Sequence, residues 1–230
     1  MQTQSRSPDI STGIDGNTQH VTPTVIFGTC ADEFHGRLAA LENLGVVMKL
    51  GMAEAMTCTA EDHNRRDDIL QQLDHSIQRV VLDRQDPISG LLPASTAHTI
   101  HGDYGDAWVR DCVYSIHCVW GLALAHRRRH GAQSGRAWEL EQRVLALMRG
   151  LLRAMLRQAA KVERFKSSLD PLDALHAKYD SSSGDPVVAD DAWGHLQIDA
   201  TSLFLLQLAQ LTRGGCIVIR SRDEVDFIQN

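Results

Sequence analysis

The segment "DAWVRDCVYSIHCVWGLALAHRR", residues 106–128, decides how this chain folds. It opens with an aromatic residue, an arginine and an acid at Trp108, Arg110 and Asp111, and apolar residues then recur on most sides of a helical period. Such a segment predicts a helix that is buried on most of its faces. The basic run "HRRRH" follows, and cations stabilise the carboxyl end of a helix. We therefore predict a core helix from Trp108 to Arg129.

Further helices are predicted on both sides of this segment. Apolar residues at helical spacing predict them at about 64–83, 137–165 and 203–211, and a last helix is predicted to begin at Ser221 or Asp223. The motif "DPISG" predicts a chain reversal, because Pro87 presets a turn dihedral and Gly90 tolerates a positive φ. Strand signals are almost absent. The sequence thus predicts an all-α fold of antiparallel helical hairpins.

Composition narrows the functional classes. The 230 residues, 43% of them hydrophobic, suffice for a sizeable core, and the formal charge of −6 argues against a nucleic-acid binder. Five cysteines without a C-x-x-C pair indicate neither a disulfide framework nor a zinc knuckle, which favours a reducing cytosol. The first thirty residues lack the features of a secretory or transit signal. No apolar run approaches the roughly 18 residues of a membrane span.

The amino-terminal part differs in character from the rest of the chain. Residues 1–30 are polar without periodicity, so we expect a disordered tail there. Residues 31–65 form a weakly helical, unassigned segment, in which Gly45 and Gly51 weaken the helical pattern. Residues 66–230 carry the strong helical signals and are expected to form the first part of a larger helical domain.

Several segments of this domain resemble the start of the regulatory α subunits of phosphorylase kinase. These segments are "DPISGLLPAS", "DAWVRDCVYSIHCVWGLALAHRR", "ELEQRVLALMRGLLRAMLRQAAKVERFK", "LHAKYD", "DDAWGHLQIDATSLFLLQLAQLT" and "DEVDFIQN". They occur in the family's order over about residues 66–230, in loops as well as helices, and they fit the α form better than the β form. The chain is thus identified as similar to a truncated member of this family, and residues 1–65 resemble nothing we recognise.

The resemblance implies a fold and a set of site residues. The amino-terminal domain of that family is similar to inverting glucoamylases of glycoside hydrolase family 15, so the implied fold is an incomplete (α/α) toroid of the six-hairpin type. Glucoamylases hold a terminal glucose with a Trp-Thr-Arg-Asp motif and a Trp-Gly-Arg-Pro-Gln-x-Asp motif. The matching carbohydrate-binding residues here are Trp108, Arg110, Asp111, Trp193, Gln197 and Asp199.

The match to these two motifs is incomplete. Val109 replaces the threonine, His195 and Leu196 replace the arginine and proline, and Cys112 stands where the family usually has asparagine. The residue types still suit a sugar, because tryptophan packs on the apolar face of the ring and arginine with aspartate pairs with its hydroxyls. The alternative is an Arg110–Asp111 ion pair at a helix start, with both tryptophans in the core.

Hydrolysis is a separate expectation. An inverting glycosidase needs a general acid and a general base about 6.5–9.5 Å apart. In glucoamylases both are glutamates from later loops, beyond the region matched here. We therefore assign no catalytic role to Asp190, Asp191 or Asp199, and we expect no glucosidase activity, no cofactor and no metal.

The resemblance also implies function and partners. It points to a non-catalytic regulatory subunit that controls glycogen breakdown in a complex with the catalytic γ subunit, the β subunit and calmodulin. Glycogen or an oligoglucan is a further expected ligand. The expected location is cytoplasmic, with membrane association of full-length members through a carboxyl-terminal prenyl lipid anchor that this chain lacks. The alternatives are a glucan-cleaving hydrolase of the glucoamylase type and a truncated product without independent function.

The sequence allows two interpretations for each of two further patterns. A cluster of histidines and acids at His98, His101, Asp103 and Asp106 is typical either of metal ligands or of a surface insertion. A basic row at Arg149, Arg153, Arg157 and Lys161 is typical either of a calmodulin-target helix or, as we expect, of the solvated side of a core helix.

Overall fold

Helices make up most of the described chain. The computed structural model describes residues 60–96, 98–99 and 102–229. Its six α-helices are α1 (Ala60–Val80), α2 (Val109–His130), α3 (Gly135–Leu156), α4 (Ala159–Ser168), α5 (Ile198–Arg213) and α6 (Arg222–Gln229). Single 3₁₀ turns form at Leu82–Arg84 and Pro171–Asp173. The predicted all-α fold class is confirmed. No helix in this described part is long and apolar enough to cross a bilayer.

Helix α2 lies at the centre of the core. It packs most extensively against α3, with which it forms a helical hairpin, and then against α5 and α1. The innermost side chains are fully buried; they include Ile116, Val119 and Leu122 of α2 and Leu140, Val144, Leu147, Met148 and Leu151 of α3. The predicted burial of the segment that follows Trp108 is thus confirmed.

Two small antiparallel sheets join the loops. Strand β1 (His98–Thr99) pairs with β2 (Gly102–Asp103), and β3 (Ala107–Trp108) pairs with β4 (Lys178–Tyr179). Because β3 runs directly into α2, its pairing with β4 brings the long polar loop before α5 to the start of α2. The Val109 amide donates to the Ala177 carbonyl at 2.9 Å and extends this junction.

The predicted chain reversal after α1 is present. The Asp86 amide donates to the Leu91 carbonyl at 2.9 Å, and Gly90 has a φ of +78°. The turn lies directly on α3, because a Cβ on Gly150 would come within 2.4 Å of the Ser89 carbonyl oxygen. Glycine at position 150 therefore permits this close approach.

The predicted helix from 137 to 165 is in fact two helices. Helix α3 ends at Leu156, and α4 begins at Ala159. Gln158, between them, uses its side chain for tertiary bonds: its Nε2 donates to the Tyr179 hydroxyl at 3.0 Å, and its Oε1 accepts from the His176 amide at 3.3 Å. These contacts with the following loop hold the residue out of helical geometry.

The other helix boundaries differ less. Helix α5 begins five residues before the predicted Leu203, and α6 begins at Arg222, where the Ser221 hydroxyl caps it by accepting from the Glu224 amide at 3.2 Å. The expectations for residues 1–30 and for most of 31–65 lie outside the described residues. Helix α1 starts at Ala60, so it crosses the boundary placed at residue 65.

Candidate functional site

Arg110 and Asp199 bring the two predicted motifs together. Arg110 lies in the first turn of α2 and Asp199 in the first turn of α5. The Arg110 Nη1 donates to the Asp199 Oδ2 at 3.1 Å, and the two side chains remain 39% and 47% exposed. Asp111 occupies the first turn of α2, where the helix dipole favours an acid. The starts of α2 and α5 thus hold a charged, accessible pair at the surface, and we call this junction the α2–α5 cleft.

The two tryptophans of the motifs have different environments. Trp108 is only 5% exposed, whereas Trp193 is 75% exposed. Their rings meet edge to face, with centroids 5.6 Å apart and planes at 62°. Trp193 is therefore the residue that presents a ring face to solvent, and Trp108 supports it from the core. The alternative that both tryptophans fill the core is wrong for Trp193.

Lys178 and Asp106 lie beside the cleft; sequence reasoning missed Lys178 and considered Asp106 only as a member of the histidine and acid cluster. The Lys178 Nζ lies 5.2 Å from the centroid of the Trp108 ring and 3.1 Å from the Asp106 Oδ2. Gly194 makes room for this stack: its φ is +88°, and a Cβ there would lie 3.2 Å from both Trp108 and Lys178. The only sequence signal for Lys178 was its place in the segment "LHAKYD".

Gln197 and Cys112 are close in sequence to the residues of the cleft, and their side chains have different environments. Gln197 is the residue before α5, and its Oε1 is buried without a hydrogen-bond partner among the described residues. The Cys112 thiol is fully buried and donates to the Leu92 carbonyl at 3.2 Å. Cysteine in place of asparagine therefore serves the packing beneath the cleft.

The predicted histidine and acid cluster is only partly described. His101 and the side chains of His98 and Asp103 lie outside the described residues, and Asp106 pairs with Lys178. A different group has metal-ligand spacing: the ligand atoms of His176, Asp190 and His195 lie within 4.8 Å of one another.

A lysine ammonium already fills this second group. The Lys161 Nζ lies 2.5 Å from the Asp190 Oδ1 and 3.3 Å from the His195 Nε2, and the His176 Nε2 lies 2.8 Å from the same Asp190 oxygen. Hydrogen bonds from Lys161 and His176 lower the pKa of Asp190 to about 2. Burial lowers the pKa of His176 below its ordinary value. We interpret the group as an ion cluster that fastens the long loop to α4, because a metal would have to displace the ammonium.

The basic row on α3 and α4 also fastens loops. Arg149 pairs with Glu224 at 3.0 Å, Arg157 with Asp185 at 3.0 Å, and Lys161 with Asp190. Arg153 donates to the Ser89 carbonyl at 2.9 Å. The expectation of a solvated row holds in part: Arg153 and Arg157 are exposed, Arg149 and Lys161 are largely covered, and each of the four also binds a neighbouring segment. The same contacts occupy the face that a calmodulin-target helix would present.

Comparison with known proteins identifies the family to which this chain belongs. The family model of "Glycosyl hydrolases family 15" matches residues 68–230. The skeletal muscle isoform of "Phosphorylase b kinase regulatory subunit alpha" from Oryctolagus cuniculus is 54% identical over 156 residues, which are 67% of this chain and 12% of that protein. A probable α subunit from Drosophila melanogaster is 51% identical over the same length and with the same coverage of each chain.

A β-type relative matches less closely. The "Probable phosphorylase b kinase regulatory subunit beta" of Drosophila melanogaster is 38% identical over 167 residues, which are 71% of this chain and 15% of that protein. The resemblance to α subunits is thus confirmed, and the α form fits better than the β form. The chain spans about an eighth of the length of these α-type relatives.

Proposed function

Because the chain belongs to the glycosyl hydrolases family 15 and its relatives at 51–54% identity are named regulatory subunits, we propose that it acts within a regulatory subunit of phosphorylase kinase. The observation that carries this proposal is the 54% identity to a named α subunit over two thirds of the chain. In that role the chain contributes to the control of glycogen breakdown and catalyses no glycoside hydrolysis.

The α2–α5 cleft then serves to bind sugar without cleaving it. A glucan end packs one ring on the exposed face of Trp193 and pairs its hydroxyls with Arg110 and Asp199. This agrees with the chemistry of the groups, because an accessible ion pair offers both donors and acceptors to neighbouring hydroxyls. The Asp199 carboxylate is engaged by Arg110, which suits a binding residue better than a general acid.

The proposed partners follow from the names of the relatives and from the family resemblance. Both α-type and β-type regulatory subunits are similar to this chain, which supports assembly with a β subunit. The catalytic γ subunit and calmodulin are the further proposed partners, and a cytoplasmic complex with a lipid-anchored carboxyl end is the proposed setting.

Membership of a hydrolase family favours one second candidate, a glucan-cleaving enzyme. Incubation of the chain with maltose and an assay for released glucose separates the two. The regulatory proposal predicts no release above that of a blank. Release that is lost in Asp111→Ala would instead establish the hydrolase.

The regulatory proposal itself is tested by affinity purification of the tagged chain from cells that express it. Mass spectrometry of the eluate is expected to identify a phosphorylase kinase catalytic subunit and calmodulin. An unrelated protein that carries the same tag serves as the control for unspecific capture. Recovery of neither partner, or equal recovery with the unrelated protein, would contradict the proposal.

A further inference from the structure

A groove on the far part of α3 is not used by the α2–α5 cleft. It has a volume of about 530 Å³, within the range of small-molecule pockets. Three segments form it: the turn at 86–91, the second half of α3, and the turn at 181–184. We call it the α3 groove.

The walls of the α3 groove are fixed relative to each other. The Ser89 hydroxyl donates to the Ser181 carbonyl at 2.5 Å and ties the two turns together. Gly150 brings the first turn against α3, as described above. Gly184, with a φ of +72°, brings the second turn so close that a Cβ would lie 2.5 Å from the Arg157 guanidinium. The groove is therefore part of the packed structure.

Arg153 lies in this groove with spare hydrogen-bond donors. Its one described bond runs from Nη2 to the Ser89 carbonyl, and no carboxylate among the described residues pairs with it. Its neighbours on the helix, Arg149 and Arg157, pair with Glu224 and Asp185. Burial and then the positive charges of Arg149 and Arg157 lower the pKa of Arg153. Arg153 is also exposed, so its remaining donors are accessible to an anion from solvent.

The acidic residues of the two neighbouring turns limit the total charge of an anion that binds in the groove. The Asp86 Oδ1 accepts from the Ile88 and Ser89 amides, and the Asp180 Oδ1 accepts from the Ser182 and Ser183 amides. Both carboxylates are thus committed to their own turns. The negative charges of these two carboxylates repel a ligand with several anionic groups. They therefore favour a ligand with one anionic group beside Arg153.

We propose that the α3 groove binds a small organic phosphate monoester. The guanidinium fork of Arg153 matches two phosphate oxygens, and Ser182 lines the groove beside it. Ile88, which is 88% exposed, and Leu156 offer an apolar wall to the organic part of the ester. This site is independent of sugar binding in the α2–α5 cleft.

Isothermal titration of the full chain with phenyl phosphate and with inorganic phosphate tests the proposal. Both are expected to bind at a single saturable site, and phenyl phosphate binds more tightly because its ring covers apolar wall. Arg153→Met is expected to weaken both about tenfold or more, as for the loss of a charge-assisted bond. Arg213→Met, which removes an exposed arginine at the end of α5, is the matched control and leaves both affinities unchanged.

Two further variants separate the parts of the site. Ile88→Ser is expected to weaken phenyl phosphate but not inorganic phosphate. Arg153→Lys keeps the charge without the fork and is expected to weaken both ligands; it also replaces Arg153→Met if that variant fails to fold. The absence of saturable binding, or equal losses in the Arg153 and Arg213 variants, would overturn the proposal.

Discussion

Arg110 and Asp199 contribute little to stability, which makes them good reporters of binding. Both side chains are substantially exposed, and exposed ion pairs contribute about 0–1 kcal/mol to folding. Solvent screens the attraction between the two side chains, so the stability of the core does not depend on this ion pair. The proposed role in binding sugar hydroxyls would use this accessibility.

Substitution of Arg110 tests that role. We expect Arg110→Met to lower the affinity for maltoheptaose about tenfold, because a charged donor to a sugar hydroxyl is lost. The free energy of unfolding should change by less than about 1 kcal/mol. Titration calorimetry and urea unfolding measure the two quantities, with Arg213→Met as the control. A large loss of stability with unchanged sugar affinity would assign the pair a structural role only.

His176 gives the chain a measurable pH dependence. Burial lowers its pKa in the folded state, so the unfolded chain takes up the proton more readily. The free energy of unfolding should then fall as the pH drops below about 6.5, the ordinary pKa of histidine, until the folded histidine is itself protonated. Urea unfolding between pH 5 and 8 measures this slope.

His176→Gln should reduce that slope, and His75→Gln, at an exposed position of α1, should leave it unchanged. His126 also has a pKa lowered by burial, so part of the slope persists in His176→Gln. The Asp190 carboxyl, with a pKa of about 2, stays charged throughout this range and does not contribute. Identical slopes for the wild type and His176→Gln would contradict the prediction.

At the residue scale, the sequence predicted which residues meet but not which are accessible. The family resemblance implied that Arg110 and Asp199 belong to one carbohydrate site, and their side chains are in contact. It could not distinguish Trp108 from Trp193, because both have the same motif context. Their difference in exposure arises from the β3–β4 pairing, which buries Trp108 beneath Lys178.

At the scale of elements, local signals predicted the helices well where capping and periodicity decide them. Ser221, one of the two predicted caps, marked the start of α6, and Pro87 with Gly90 marked the reversal after α1. The break between α3 and α4 had no such signal. No proline or glycine lies there, and Gln158 leaves the helix because distant backbone and hydroxyl groups bind its side chain.

Alanine substitution is expected to have opposite effects on stability at two glycines of α3. A Cβ at Gly150 would meet the Ser89 carbonyl oxygen, whereas nothing lies within 4 Å of a Cβ at Gly135. We expect Gly150→Ala to lower the free energy of unfolding by about 1–3 kcal/mol or more, as overpacking does. Gly135→Ala should raise it by up to about 1 kcal/mol, because alanine favours helix. Urea unfolding measures both, and equal signs would contradict the packing described for the turn.

At the scale of the whole molecule, apolar side chains remain uncovered along α5 and after it. Ile198, Leu205 and Leu206 are exposed on α5, and Ile217 is exposed beyond it. Exposed apolar groups that lie close together promote association. The closely packed α2–α3 hairpin supplies the stable part of the core, whereas α5 is covered on one side only.

We therefore expect the isolated chain to self-associate with rising concentration. Leu206→Gln should shift the apparent mass measured by light scattering toward that of the monomer, because it removes apolar surface from α5. Leu169→Gln is the control, since that leucine is even more exposed than Leu206 but lies in the turn after α4. A chain that is monomeric at all concentrations would show that the exposed apolar residues of α5 do not drive association.

The β3–β4 pair and the Arg110–Asp199 contact also set an order of events during folding. Arg110 and Asp199 are 89 residues apart in the chain, whereas α2 and α3 are neighbours joined by a short loop. Closing the longer loop costs more chain entropy, so the hairpin should gain protection first and the cleft last. Pulse-labelled hydrogen exchange would then show the amides in the interior of α2 and α3 protected before the Val109 amide, which bonds to the Ala177 carbonyl. A sugar that binds this cleft selects chains that have finished folding, and so acts as a check on their completion.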